Sequence, residues 1–216
     1  ANTYNGDTVV VSGTLRLGNS QALGSTAAGT IVTSSTLAAI PGGVLDLYGQ
    51  SIQGESLVLS GSSRGVALVN SRTGSAASWS GPVTASGTAT IGGPGPLTIA
   101  GTLTKIGSGT LTVADGAVVT GSTSIQGGGV QLASASGLAG SRVTPLAGGT
   151  LSLAPYLQAS IGGLAPLAGG LTDVGSGMVT VTAGLPAADM VTALLTGLGD
   201  GSWNGSSGIT SSTAAA

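Results

Sequence analysis

Short apolar–polar–apolar triplets recur along this chain, most of them bounded by glycine. They lie at residues 13–17, 43–47, 56–59, 96–99, 109–113, 129–132, 149–153 and 177–181. Alternation at period two marks a strand with one buried face. In Gly13-Thr14-Leu15-Arg16-Leu17 it sets Leu15 and Leu17 on one face and Arg16 on the other. Each segment is too short to stand alone, so the predicted strands must stack. Glycine suits the corners, because sharp turns need a positive φ that glycine adopts without steric cost.

Successive triplets often lie 12–21 residues apart, as for Leu111, Val130 and Leu151. One coil of a three-sided parallel β-helix needs about that length. At an inter-strand spacing of ~4.8 Å, about eight to ten coils make a rod roughly 40–50 Å long. A β-sandwich has comparable strand spacing. It is disfavoured by the short strands and by an aromatic content of 2%, with no Phe.

The chain also aligns with itself. Residues 6–17 match residues 121–132 at an offset of 115, and residues 42–47 match 148–153 at an offset of 106. Such duplication is how solenoids lengthen. The expected organisation is a β-solenoid over residues 1–183, duplicated as about 1–100 and 116–183. A cap helix and a Gly/Ser/Thr-rich tail follow over 184–216. The helix is predicted at 186–195. Pro186 takes the first helical position, Met190, Leu194 and Leu195 share one face, and Gly197 and Gly199 end it.

Composition narrows the function classes. Glycine accounts for 41 of 216 residues and charged residues for 6%, while hydrophobic residues still make up 41%. There is no Gly-X-Y period, and the apolar content is too high for a disordered chain. Net charge is −2, and Arg16, Arg64, Arg72, Lys105 and Arg142 are scattered singly. Nucleic-acid binding needs clustered cations, so it is excluded as a partner class. No apolar run of spanning length occurs, so membrane insertion by a helix is not expected. The chain starts at Ala1 without a signal peptide, and a mature or trimmed chain is expected. A surface this poor in charge suits a protein covered by neighbouring copies, by glycans or by a matrix.

One stretch carries a family resemblance. Leu103-Thr104-Lys105-Ile106-Gly107-Ser108-Gly109-Thr110-Leu111-Thr112-Val113 resembles the signature of the autotransporter-associated β-strand repeat. Residues 2–18 resemble the stretch that follows that signature. Residues 55–61, 67–70 and 79–83 resemble intervening coils, so the likeness covers about residues 1–155. It implies a right-handed parallel β-helix on bacterial surface proteins, with roles in adhesion, display and matrix formation. No outer-membrane barrel pattern follows residue 155. The run 201–212 resembles the tails of such repeat proteins.

Candidate chemistry is sparse. With no His and no Cys, the common nucleophile–base pairs and zinc sites are ruled out. Asp46 and Glu55 are the one close acidic pair, and a carbohydrate-cleaving site would need two carboxylates on one face. Solvent-facing strand and turn positions account for them better, and no enzyme activity is expected. Calcium-binding nonapeptides are absent, and 92–95 is glycine-rich without the Lys and helix of a phosphate loop, so no cofactor or metal is expected. The aromatics are Tyr4, Tyr48, Trp79, Tyr156 and Trp203. Trp79 and Trp203 are candidate sugar-stacking platforms, and Asn204-Gly205-Ser206 is a glycosylation sequon.

The reading that follows is a non-enzymatic extracellular structural protein whose partner is itself, stacked end to end into a filament. Residues Ala1, Asn2, Thr3 and Tyr4 begin mid-repeat, and with Trp203 and Ile209 they are the candidate inter-subunit contacts. The alternative is an adhesin or glycan-binding passenger module of a larger surface protein.

Overall fold

The computed structural model describes residues 1–34, 41–61 and 65–215; Arg64 lies outside them. The chain is a parallel β-solenoid. Coil 1 holds β1 (Thr8–Val10) and β2 (Gly13–Arg16), and coil 2 holds β3 (Gly29–Val32), β4 (Gly43–Asp46) and β5 (Ser51–Ile52). Coil 3 holds β6 (Ser56–Leu59), β7 (Val66–Val69) and β8 (Ala77–Trp79). Coil 4 holds β9 (Val83–Ala85), β10 (Ala89–Gly92) and β11 (Leu97–Ile99). Coil 5 holds β12 (Leu103–Lys105), β13 (Thr110–Val113) and β14 (Ala117–Val119). Coil 6 holds β15 (Thr123–Ile125) and β16 (Gly128–Leu132), and coil 7 holds β17 (Leu138–Pro145) and β18 (Gly149–Leu153). Coil 8 holds β19 (Gln158–Leu164) and β20 (Leu171–Asp173). The last holds β21 (Met178–Val181), α1 (Ala187–Leu198) and β22 (Gly208–Thr210).

Three parallel sheets run along the stack. The first is ordered β1-β3-β6-β9-β12-β15-β17-β19-β21 and the second β2-β4-β7-β10-β13-β16-β18-β20-β22. The third has only four strands, ordered β14-β11-β8-β5. Side chains at equal register form ladders through the core. Leu15, Leu45, Leu68, Ile91, Val113, Leu132 and Leu153 make one. Ile52, Trp79, Ile99 and Val119 make another on the third side.

All eight predicted strand segments are strands, but they belong to different faces. The segment at 56–59 lies in the first sheet and that at 96–99 in the third, so neighbouring triplets often lie on different sides of successive coils. Within one sheet the true step is 20 residues from Val83 to Leu103 and again from Leu103 to Thr123. The self-alignments respect this geometry. The offset of 115 pairs β1 with β15 and β2 with β16, and the offset of 106 pairs β4 with β18; each pair lies in one sheet, five coils apart.

Glycine is abundant partly for a reason other than turn conformation. Gly81, Gly101 and Gly121 occupy one corner column, and none of the three has positive φ. A Cβ on Gly81 would sit 1.8 Å from Glu55 O, one on Gly101 1.9 Å from Gly81 O, and one on Gly121 2.0 Å from Gly101 O. Close approach of successive coils, rather than left-handed backbone, demands glycine there.

The cap differs from expectation in detail. Pro186 is the N-cap residue, with φ −55° and ψ 135°, and the helix runs on to Leu198. Gly197 is inside the helix and buried, and Gly199 at φ 62° is the C-cap. Met190 and Leu194 pack on the core, whereas Leu195 is 63% exposed, because Ala193 and Gly197 provide the buried stripe. The tail then re-enters the stack: β22 pairs with β20 through Leu171–Gly208, Thr172–Ile209 and Asp173–Thr210.

Candidate functional site

Asp46 and Glu55 do not form a pair. Asp46 ends β4 in the second sheet, whereas Glu55 precedes β6 in the first. Asp46 is buried and fully engaged. Its Oδ2 accepts from Arg16 Nε at 2.9 Å and Ser71 Oγ at 2.7 Å; its Oδ1 accepts from the amides of Tyr48 and Ser71, each at 3.1 Å. Burial alone would raise its pKa. The bonds from Ser71, Arg16 and Tyr48 outweigh that and hold it below the usual carboxylate range. The Tyr48 ring lies beneath two guanidinium groups, 4.5 Å from Arg16 and 5.5 Å from Arg72. This cluster ties three coils together and leaves Asp46 no free oxygen for proton transfer.

Asn70 does similar work. Its Oδ1 accepts from Gly49 N at 3.0 Å and Arg72 N at 3.2 Å, and its Nδ2 donates to Ser75 O and Pro96 O, both at 2.7 Å. All four of its hydrogen-bonding positions are used. Lys105, the polar residue of the Leu-Thr-Lys signature, points into the core. Its Nζ donates to the carbonyls of Ile106 at 2.6 Å, Gly107 at 3.1 Å and Gly127 at 3.5 Å. Burial lowers its pKa.

Glu55 is different. Only 3% of it is exposed, and Oε1 accepts from Thr30 Oγ1 at 2.7 Å. Its main-chain carbonyl accepts from Trp79 Nε1 at 2.9 Å. Among the described residues the one ion pair is Arg16–Asp46, so Glu55 has no counter-charge there. Burial raises its pKa, partly offset by the Thr30 bond. It lines a cavity of about 400 Å³ with Ser20, Gln21, Leu23, Gly24, Thr26, Ser51, Ile52 and Gln53. The cavity exists because coil 1 carries a loop on its third side where coils 2 to 5 carry a strand, leaving β5 paired on one side only.

The proposed sugar platform at Trp79 is overturned. Its side chain is 0% exposed, locked in the third-side ladder, and no ligand can stack on it. Trp203 is half-buried at φ 57°, its amide bonded to Leu198 O at 3.0 Å. Ile209 is 8% exposed within its own coil and lines the apolar cavity between the last coil and α1. Asn204 is exposed, with Oδ1 accepting from Asp200 N at 3.3 Å. Ala1, Asn2, Thr3 and Tyr4 are exposed along the first coil. They are partly tied to their own chain: Asn2 Nδ2 donates to Ala22 O at 2.6 Å, and Ser25 N donates to Tyr4 O at 2.9 Å. Tyr48 is held by its arginines and Tyr156 is 84% exposed.

Among the described residues no group of three acidic side chains could hold a metal ion, and no helix is long and apolar enough to cross a membrane. No family model, curated protein or solved structure matches the chain.

Sequence parity could have singled out Glu55 and Lys105. Glu55 shares parity with the inward Leu57 and Leu59, and Lys105 shares it with Leu103. Asp46 has the opposite parity to Leu45 and Leu47, and becomes buried only because Arg16 and Ser71 close over it.

Proposed function

We propose that the chain is a non-enzymatic extracellular structural protein, a solenoid subunit that assembles end to end into a surface filament or matrix. The observation that carries this reading is the open edge of β21 with the apolar cavity beside it. At one end β1 and β2 pair on one side only, and Tyr4, Val9 and Val11 are 41%, 53% and 45% exposed. At the other end β21 pairs only with β19, and Met178 is 53% exposed. Beside it an apolar cavity of about 270 Å³ opens between the last coil and α1, lined by Val179, Val181, Met190 and Leu194 among others.

Every strand pair in the sheets is parallel, so a second copy arriving head to tail meets these edges in the right direction. Unpaired strand edges with apolar side chains are templates for such addition. The low charge of the chain leaves little repulsion to oppose it. Asp46 supports the non-catalytic part, since its oxygens are committed to holding coils together. The surface location rests on the repeat signature at 103–113.

Negative-stain electron microscopy of concentrated protein is the test. Filaments are expected, with an axial repeat of roughly 43 Å for nine strands at ~4.8 Å spacing. The double substitution Val9→Asp and Met178→Asp should return single rods. If the unsubstituted chain gives only isolated rods at high concentration, the assembly reading fails.

A further inference from the structure

The corner column that holds Gly81, Gly101 and Gly121 begins at Glu55. Leu57 pairs in register with Val83, Val83 with Leu103 and Leu103 with Thr123, so the residues two before each also correspond. Where three later coils admit no side chain, this coil places a carboxylate. It does so beside the third side, where β5 is the first strand and coil 1 carries a loop.

From this we infer that the cavity above β5 is a binding site for a primary alkylammonium group. Glu55 lines the cavity, and the hydrogen bond that its carboxylate accepts from the described residues comes from Thr30 Oγ1 to Oε1, which leaves Oε2 for a ligand. A buried carboxylate with no cation beside it among the described residues gains most from a ligand that brings a charge and several N–H donors. Burial raises the Glu55 pKa, in line with a group short of such a donor. The remaining walls suit the rest of such a ligand. Leu23 and Ile52 offer an apolar floor for a methylene stem, and Gln21, Ser51 and Gln53 form an exposed polar rim with acceptor oxygens. The volume of about 400 Å³ admits a lysine-sized aminoalkyl chain. A neutral sugar would fit the rim but would leave the buried charge uncompensated, and no aromatic ring lines the cavity.

The site lies on the third side of coil 1, next to the edge used in assembly, so binding is read on the dispersed chain, where failure to bind and failure to assemble are told apart. ¹⁵N–¹H chemical-shift titrations of the dispersed Val9→Asp/Met178→Asp chain, or of the unsubstituted chain if that stays monomeric, would use n-butylammonium and n-butanol at pH 7.5. Saturable shifts are expected at Gln21, Ser51 and Gln53 with the amine, and at least tenfold weaker binding with the alcohol. Nα-acetyl-lysine amide and cadaverine then separate a lysine side chain from a free polyamine as the source. Glu55→Gln should weaken amine binding at least tenfold with unchanged shifts elsewhere. Should that variant fail to fold, Gln53→Lys sets an ammonium on the rim and should block the added amine. Absence of saturable shifts, equal response to the alcohol, or binding that survives both substitutions overturns the assignment.

Discussion

Lys105 illustrates how a single residue can hold a corner. Its ammonium is enclosed by the carbonyls of Ile106, Gly107 and Gly127, which span two successive coils. Replacing it with Met keeps the apolar stem but strands those carbonyls. A hydrogen bond from a charged group contributes about 1.5–3 kcal/mol, so Lys105→Met should lower unfolding free energy by roughly that amount in urea titration. The pH dependence has a definite sign. The folded pKa lies below the unfolded one, so the fold disfavours the charged form. Between the two values the unfolded chain binds more protons, and stability rises with pH. That alkaline rise should vanish in Lys105→Met. Reading the chain alone left Lys105 as one scattered cation, because its inward parity is visible only once the strand is granted. Trp79 was misread for the opposite reason: an isolated aromatic carries no sign of the ladder that buries it.

At the scale of the element, α1 sits against β22 through glycine. A Cβ on Gly197 would lie 1.7 Å from Ile209 O, a main-chain atom that cannot step aside. Gly→Ala in an isolated helix favours the helix by about 1 kcal/mol. Here overpacking opposes it, at a cost of about 1–3 kcal/mol. Gly197→Ala should therefore lower the thermal midpoint and loosen β22, seen as faster amide exchange at Ile209 and Thr210. A rise in the midpoint would mean the helix is not seated against the strand. The strands that sequence pattern revealed are those with Leu or Val at both inward positions, such as β13 and β18. Those it missed put small or polar residues inward: Ala77 in β8, Ala89 in β10, Ala117 in β14 and Thr123 in β15. Strand β22 was hidden by distance, since Gly208 is 37 residues beyond its partner Leu171, with the helix between them.

For the whole molecule, the solenoid class was legible because it rests on a repeated, local pattern. Which triplet belongs to which side was not legible, since spacing along the chain does not distinguish a full coil from a third of one. The Glu55 cavity was equally hidden, because it arises from a strand that coil 1 does not form. Stability in such a stack is a sum of coil and neighbour terms. Coils 4 to 6 have neighbours on both sides and a core of residues at or near 0% exposure, including Ile91, Leu103, Val113 and Ile125. Coil 1 has one neighbour and an exposed Val9. Native-state hydrogen exchange should be slowest across residues 83–132 and fastest in β1 and β2, outside any filament. Uniform protection from end to end would instead indicate a single cooperative unit.

The corner column of Gly81, Gly101 and Gly121 has a consequence for how this chain can vary in length. Adding or deleting one residue within β12, at Leu103–Lys105, would move its inward side chains to the outer face and shift the glycine column against the carbonyls of the coil before. The glycine corner itself repeats at twenty residues, whereas the corner beyond the first sheet differs in length from coil to coil, with Ala89 and Leu111 22 residues apart. The loop at 18–28, which no column constrains, is where single insertions are free to accumulate.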